Sequence, residues 1–171
     1  MNRQVEKLEE LKKIALENKV PIIMDDTLEV LTEILQTHKP KKILEIGTAL
    51  GYSSFFLAQS KQVKSIITLE KDLKRFEFAK NILFKFDNVK CINTSAFYFV
   101  SDKKFDVIIL DGPKSHQDQL FDKFKNNLKN GGMFFIDNLY FINRRMRFHR
   151  LKACRVQHYT GRGLFCNSRF L

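Results

Sequence analysis

The chain has 171 residues, of which 44% are hydrophobic, and it carries a formal net charge of +11. This length favours a single domain, and the apolar content argues against a chain that is disordered throughout. No apolar run reaches the roughly 18 residues that a membrane-spanning helix needs, and the charged N-terminus is unlike a signal peptide, so we expect a cytoplasmic protein without a membrane partner.

The first predicted elements are two amphipathic helices. Apolar residues recur at helical spacing from Val5 to Leu16, and a second helix is predicted to start after Asp25 or Asp26 and to end before Lys39. From residue 41 onward, short apolar runs alternate with amphipathic segments, which is typical of a parallel sheet covered on both faces. The predicted strands are Ile43–Ile46, Ser65–Leu69, Val89–Asn93, Phe105–Leu110 and Met133–Ile136. The predicted helical segments between them are Ser53–Gln59, Leu73–Phe86, a short stretch near Ala96–Val100, and Gln117–Leu128, which Asn130-Gly131-Gly132 would close.

The pattern changes again after Asp137. A short basic segment, Phe141–Leu151, has helical character, and two strand-like runs follow at Ala153–Tyr159 and Leu164–Phe170. The glycines at 161 and 163 separate these runs, which predicts a β-hairpin. The fold class is therefore α/β, a doubly wound, mostly parallel seven-stranded sheet with a C-terminal antiparallel hairpin.

The positive charge is concentrated at the C-terminal end. Residues 138–171 contain no Asp or Glu and eight basic residues: Arg144, Arg145, Arg147, Arg150, Lys152, Arg155, Arg162 and Arg169. Charge alone leaves two interpretations open, an ordinary solvated basic surface or a surface that binds a phosphate backbone.

Two glycines follow the first predicted strand, in the stretch ILEIGTALGYSS at residues 43–54. Glycine allows a positive φ and a close approach of the backbone to a ligand, although a plain strand-to-helix turn also explains it. Ser53 and Ser54 could cap the following helix. Glu70 ends the second strand, where a carboxylate can accept hydrogen bonds from both hydroxyls of a ribose. Glu70 could instead lie in the N-cap region of the helix that follows.

Four stretches in this order, ILEIGTALGYSS, ITLEKD, FDVIILDGPK and GGMFFIDN, resemble the class I S-adenosylmethionine-dependent methyltransferases. They are most similar to the metal-dependent O-methyltransferases, which include catechol and caffeoyl-coenzyme A O-methyltransferases and the bacterial tRNA 5-hydroxyuridine methyltransferases. The resemblance implies one Rossmann-like domain over residues 1–171. Its parts would be N-terminal helices at 1–38, a cofactor-binding βα core at 41–137, and the basic segment and hairpin at 138–171.

The resemblance also implies which residues bind S-adenosylmethionine. The expected cofactor-binding residues are Glu45, Gly47, Thr48, Gly51, Tyr52, Ser53, Glu70, Ser95, Ala96 and Asp111. Ser95 stands where the family usually carries an acidic residue near the adenine, and its hydroxyl can still form a hydrogen bond. The segment Val20–Met24 is expected to cover the site.

Polar residues end the fourth and fifth predicted strands. Asp111, Asp137 and Asn138 would meet at one edge of the sheet, and their oxygens are ligands suited to Mg²⁺, although the two carboxylates could instead cap loops. In the resembled family these positions hold the metal. The family also implies a catalytic role for Asp111 and for Lys114, which would take the acceptor's proton; Lys114 could equally be a surface lysine.

The metal site suits any acceptor with two adjacent oxygens. The basic C-terminal residues 144–169 favour tRNA, with 5-hydroxyuridine in the anticodon methylated to 5-methoxyuridine. A small catechol-like or phenolic acceptor is the first alternative, and a non-catalytic RNA-binding protein on a methyltransferase fold is the second. A homodimer stays open.

Overall fold

The structure is a computed structural model that describes residues 3–23, 25–112, 114–137, 155–158 and 163–167. Two helices come first, α1 at Arg3–Glu17 and α2 at Asp25–Thr37. Their apolar faces pack on the sheet because residues such as Leu11 and Leu31 recur at helical spacing and are buried. The Lys12 ammonium lies 2.6 Å from the Asp25 carboxylate, and this ion pair joins the two helices.

The remaining elements alternate between strand and helix. In chain order they are β1 Lys42–Ile46, α3 Tyr52–Ala58, β2 Ser65–Glu70, α4 Leu73–Leu83, β3 Val89–Asn93, β4 Phe105–Leu110, a 3₁₀ turn at Lys114–His116, α5 Gln117–Phe124, a second 3₁₀ turn at Lys125–Asn127, β5 Leu128–Asp137, β6 Arg155–His158 and β7 Gly163–Asn167.

Within the described residues, the strands form one sheet in the order β3-β2-β1-β4-β5-β7-β6. The five strands from β1 to β5 pair in parallel, and β1 lies between β2 and β4. The strand order therefore reverses between β1 and β4, which is the position where doubly wound sheets bind ligands.

Successive residues of the central strands enter two different cores. Ile43 and Val107 face a cluster that α1 to α4 cover, whereas Leu44 and Ile108 face a cluster that α5 covers. Burial on both faces explains why these strands read as continuous apolar runs. The predicted Rossmann-like, mostly parallel α/β fold is confirmed.

The two last strands lie at one edge of the sheet. β7 pairs antiparallel with β5 and with β6. The residues that would form the turn of the predicted hairpin, 159–162, lie outside the described residues, as does the basic segment Phe141–Leu151. The hairpin turn and that segment stay predictions.

Three predicted helical segments need correction. Ala96–Val100 is a turn, in which the N–H groups of Tyr98 and Phe99 both donate to the Ser95 carbonyl, and one such turn is too short to propagate as a helix. The helix from Leu73 ends at Leu83 rather than Phe86. The helix from Gln117 ends at Phe124, and β5 starts at Leu128, so Asn130-Gly131-Gly132 lies inside β5, where its pairing with β4 is irregular.

The N-terminal segment between the first two helices reaches the carboxyl ends of the strands. Pro21 lines the cleft described below, as expected for the segment Val20–Met24, of which Met24 lies outside the described residues. Among the described helices, none is both long and apolar enough to cross a membrane.

Candidate functional site

A cleft of about 600 Å³ opens at the carboxyl ends of β1, β2, β3 and β4. This volume lies in the range of small-molecule and cofactor sites. Its lining includes Gly47, Ala49, Glu70, Ser95, Asp111 and Gly112. The cleft therefore gathers the glycine turn and the polar strand ends that the sequence singled out.

Gly47 follows β1 and lies in close contact with both neighbouring strands at the cleft. Its φ is +104°, and its N–H donates to the Leu69 carbonyl of β2 at 3.0 Å. A Cβ added to Gly47 would lie 2.1 Å from the Asp111 carbonyl oxygen, far inside van der Waals contact. Asp111 N–H donates in turn to the Ile46 carbonyl at 2.9 Å. Only glycine permits this conformation and this approach.

Gly51 occupies the N-cap of α3, with a φ of +85° and no side-chain cap. A Cβ there would lie 3.3 Å from Leu83 and 3.4 Å from Ala79, so glycine also lets α3 pack closely on α4. The expectation that Ser53 and Ser54 cap this helix is wrong. Both serines lie inside its first turn, and their hydroxyls donate to Glu45 instead.

Glu45 is fully buried beneath the glycine turn. Its carboxylate accepts hydrogen bonds from Ser53 and Ser54 on α3 and from Thr68 on β2, the last at 2.6 Å. Burial raises the pKa of Glu45, and the three hydroxyl bonds partly oppose that shift. These contacts connect β1, β2 and α3 below the cleft floor.

Thr48 extends this polar network. Its hydroxyl lies 2.5 Å from the Thr68 hydroxyl, and both side chains are buried. Thr68 had escaped the sequence analysis, although a threonine inside an otherwise aliphatic buried strand was a usable signal. Cofactor binding by Glu45, Thr48, Gly51, Tyr52 and Ser53 stays a prediction; their described contacts support the shape of the turn.

Glu70 lies at the carboxyl end of β2 and lines the cleft, although it is only 6% exposed. One carboxylate oxygen accepts the N–H of Ala49 at 2.8 Å, and the other accepts the N–H of Asp72 at 2.9 Å. Asp72, rather than Glu70, caps α4. Glu70 thus ties the glycine turn, through Ala49, to the residue that begins α4, Asp72. The remaining lone pairs of the Glu70 carboxylate can accept hydrogen bonds from a ligand.

The other end of the cleft lies after β3. Ser95 and Ala96 line it as predicted, and Phe97 and His116 join them. These two rings pack edge to face with centroids 5.7 Å apart. Phe97 and His116 were not predicted as site residues. Their contact depends on how the segment between β3 and β4 packs against the 3₁₀ turn after β4, which the sequence does not show.

The predicted metal ligands are only partly within the description. Asp111 lines the cleft beside Gly112. The side chains of Lys114 and Asp137 and the whole of Asn138 lie outside the described residues. Among the side chains that are described, no group of three or more His, Cys, Asp or Glu could hold a metal ion. The metal site and the roles of Lys114 and Asp111 therefore stay predictions.

Two comparisons with known sequences bear on this site. A family model described as O-methyltransferase matches residues 2–147. The protein-L-isoaspartate O-methyltransferase of Shewanella woodyi is 44% identical over 64 residues, which cover 33% of this chain and 30% of that relative. The chain thus matches less than a third of that curated relative's length.

Solved structures share the fold over nearly the whole chain. A candidate caffeoyl-CoA O-methyltransferase from Staphylococcus aureus is 28% identical, with a TM-score of 0.79 over 94% of this chain and 90% of that one. An O-methyltransferase from Bacillus cereus, solved with S-adenosylhomocysteine, is 21% identical, with a TM-score of 0.78 over 95% of this chain and 90% of that one. The second likeness shows the fold alone.

Proposed function

Because this chain belongs to the S-adenosylmethionine-dependent O-methyltransferases, we propose that it methylates one of two adjacent oxygens of an acceptor at the cleft beside Gly47 and Asp111. One observation carries this proposal. Glu70 ends β2 and Asp111 follows β4, the two strands that flank β1, and both residues line the same cleft of about 600 Å³.

The described residues suit the parts of S-adenosylmethionine. Glu70 retains acceptor capacity for the ribose hydroxyls, and Ser95 and Ala96 line the same cleft and would contact the adenine. The turn at Gly47 lines the same cleft and would lie beside the methionine portion. When bound, the cofactor supplies a methyl group that its sulfonium already activates. The chain's own contribution is then mainly to position the acceptor.

The acceptor hydroxyl must lose its proton before or during transfer. The oxygens of Asp111, Asp137 and Asn138 are hard ligands of the kind that suits Mg²⁺, and these residues would hold that ion after β4 and at the end of β5. Bound Mg²⁺ would lower the pKa of a coordinated hydroxyl. Lys114 follows β4 by four residues and would take the proton.

Two acceptors fit this chemistry equally well, because both present adjacent oxygens. The first is 5-hydroxyuridine in a tRNA anticodon, which the basic residues 144–169 favour through phosphate binding. The second is a small catechol-like phenol. The third alternative is an RNA-binding protein without catalysis. Calorimetry of S-adenosylmethionine binding separates it from the two enzymes, because both enzymes must bind the cofactor and a non-catalytic protein need not.

The test is methyl transfer from radiolabelled S-adenosylmethionine to tRNA that carries 5-hydroxyuridine and, separately, to catechol. We expect transfer to one acceptor, loss of it with EDTA or in Asp111→Asn, and retention in the control Asp87→Asn, whose side chain is exposed between α4 and β3. Undiminished transfer in both EDTA and Asp111→Asn would refute the metal role. Failure to bind S-adenosylmethionine would refute the function.

A further inference from the structure

The turn that follows β3 exposes an unusual amount of apolar surface. Tyr98 and Val100 are each 83% exposed, and Phe97 is 42% exposed. Phe99 between them points inward and packs on Phe124, with ring centroids 6.3 Å apart. The turn therefore has a buried anchor and presents its other apolar side chains to solvent, an arrangement that marks a contact surface more often than chance.

The backbone of this turn is held firmly. The Ser95 carbonyl accepts the N–H groups of Tyr98 at 2.9 Å and Phe99 at 3.2 Å, and the Lys123 ammonium donates to the Phe97 carbonyl at 2.8 Å. A fixed backbone lowers the entropy that binding would cost, because the turn itself needs little further ordering on contact.

Several cationic side chains lie near the turn, alongside the exposed carboxylate of Asp102. Lys71 and Arg75 line the cleft together with Phe97, and Lys103 follows Val100 in the chain. Within the described part of the chain, none of these three cations forms a salt bridge. The nearby acidic Asp72 is engaged in capping α4 through the Arg75 N–H. Unpaired cations beside exposed aromatic side chains complement a polyanion whose bases can stack.

We propose that this surface, formed by Phe97, Tyr98, Val100, Lys71, Arg75 and Lys103 and called here the aromatic rim, binds single-stranded RNA next to the cofactor cleft. The proposal rests on the RNA branch of the proposed function and adds further contact residues to the basic residues 144–169. Tyr98 would stack on an unpaired base, and the cations would neutralise the flanking phosphates. Single-stranded RNA fits better than duplex, because paired bases do not offer their faces to an aromatic ring.

The experiment measures fluorescence anisotropy of a labelled oligouridine of about ten nucleotides and of tRNA with the full chain and its variants. Tyr98→Ala should weaken oligouridine binding about fivefold or more, whereas Tyr98→Phe should restore it because the ring is kept. Phe84→Ala is the matched control: Phe84 is 81% exposed, but it lies between α4 and β3, before the amino end of β3, whereas the aromatic rim follows the carboxyl end of β3. Its oligouridine affinity should stay unchanged.

Melting temperature and S-adenosylmethionine affinity should match the wild type in all three variants, since Tyr98 and Phe84 lie outside the cleft lining. Equal RNA affinity in Tyr98→Ala and wild type, or no RNA binding by the wild type, would overturn the proposal. So would a dimer, seen by sedimentation, that Tyr98→Ala dissociates, because the rim would then bind a second copy. RNA binding without any methyl transfer would leave this proposal standing and refute the proposed function.

Discussion

Replacing Gly47 with alanine tests whether the cleft depends on the contact between β1 and β4. Alanine at a φ of +104° costs about 1–2 kcal/mol in backbone strain. The new Cβ would also lie 2.1 Å from the Asp111 carbonyl oxygen, so the two strand ends must separate by about 1 Å. Overpacking of this kind costs roughly 1–3 kcal/mol more. We expect a total loss of about 2–5 kcal/mol.

Gly131→Ala provides the control for strain alone. Gly131 has a φ of +78°, and no described atom lies within 4 Å of a Cβ added there. Its substitution should cost about 1–2 kcal/mol, without the steric part. Gly51→Ala should fall between the two, because its Cβ would meet Leu83 and Ala79 at 3.3–3.4 Å.

The assay is urea unfolding of the three variants, together with calorimetry of S-adenosylmethionine binding. Gly47→Ala should lose cofactor affinity beyond its loss of stability, because Asp111 and the turn move apart, whereas Gly131→Ala should bind normally. Equal destabilisation by Gly47→Ala and Gly131→Ala would show that the contact with Asp111 carries no cost, and the reasoning about the cleft would fail.

Three further predictions concern titratable groups. Burial raises the pKa of Asp106, but the Lys129 ammonium at 2.6 Å and two backbone N–H groups outweigh it and hold the pKa below its usual range. The stabilisation by Asp106 is therefore present above about pH 4 and is lost as the pH falls through the lowered pKa. Asp106→Asn should cost about 1–2 kcal/mol at pH 7 in urea unfolding and less in acid. Glu45→Gln should cost about 1–3 kcal/mol, because one serine hydroxyl loses its acceptor, whereas Glu17→Gln, whose side chain is 60% exposed, should stay within about 0.5 kcal/mol; equal thermal shifts would contradict this. Burial raises the pKa of the Cys91 thiol to about 11, so little thiolate forms at pH 8 in the native protein. In a variant without Cys154 and Cys166, iodoacetamide at pH 8 should therefore alkylate the native protein on the order of a hundredfold more slowly than the urea-unfolded protein.

Local pattern was sufficient for the strands and for the location of the cleft. Burial on both faces makes a parallel strand a continuous apolar run, so Ile43–Ile46 and Phe105–Leu110 were recognisable without any partner. The turn at Gly47 follows the first strand, and sheets of this kind bind ligands at the carboxyl ends of their strands. These properties are encoded within a few consecutive residues.

Contacts distant in sequence were not predictable in the same way. Glu45 has three hydroxyl partners, one of them 23 positions away at Thr68, and the sequence did not predict them. The sequence shows an acid near a glycine turn, but not which side of the turn it faces. In the turn at Ala96–Val100, which was predicted as helical, Ala96 and Phe99 pack against the core while Phe97, Tyr98 and Val100 are exposed.

Gly47 connects the two ends of the cleft. Its N–H binds the Leu69 carbonyl, one residue before Glu70, while its missing side chain admits the Asp111 carbonyl. Ala49 in the same turn donates to Glu70. A disturbance at Gly47 should therefore affect both the ribose end and the acceptor end. Glu70→Gln keeps an acceptor for the Ala49 N–H, so it should weaken S-adenosylmethionine binding without lowering the rate of methyl transfer at saturating cofactor. A lower rate at saturating cofactor would argue that Glu70, rather than Gly47, couples the two ends of the cleft.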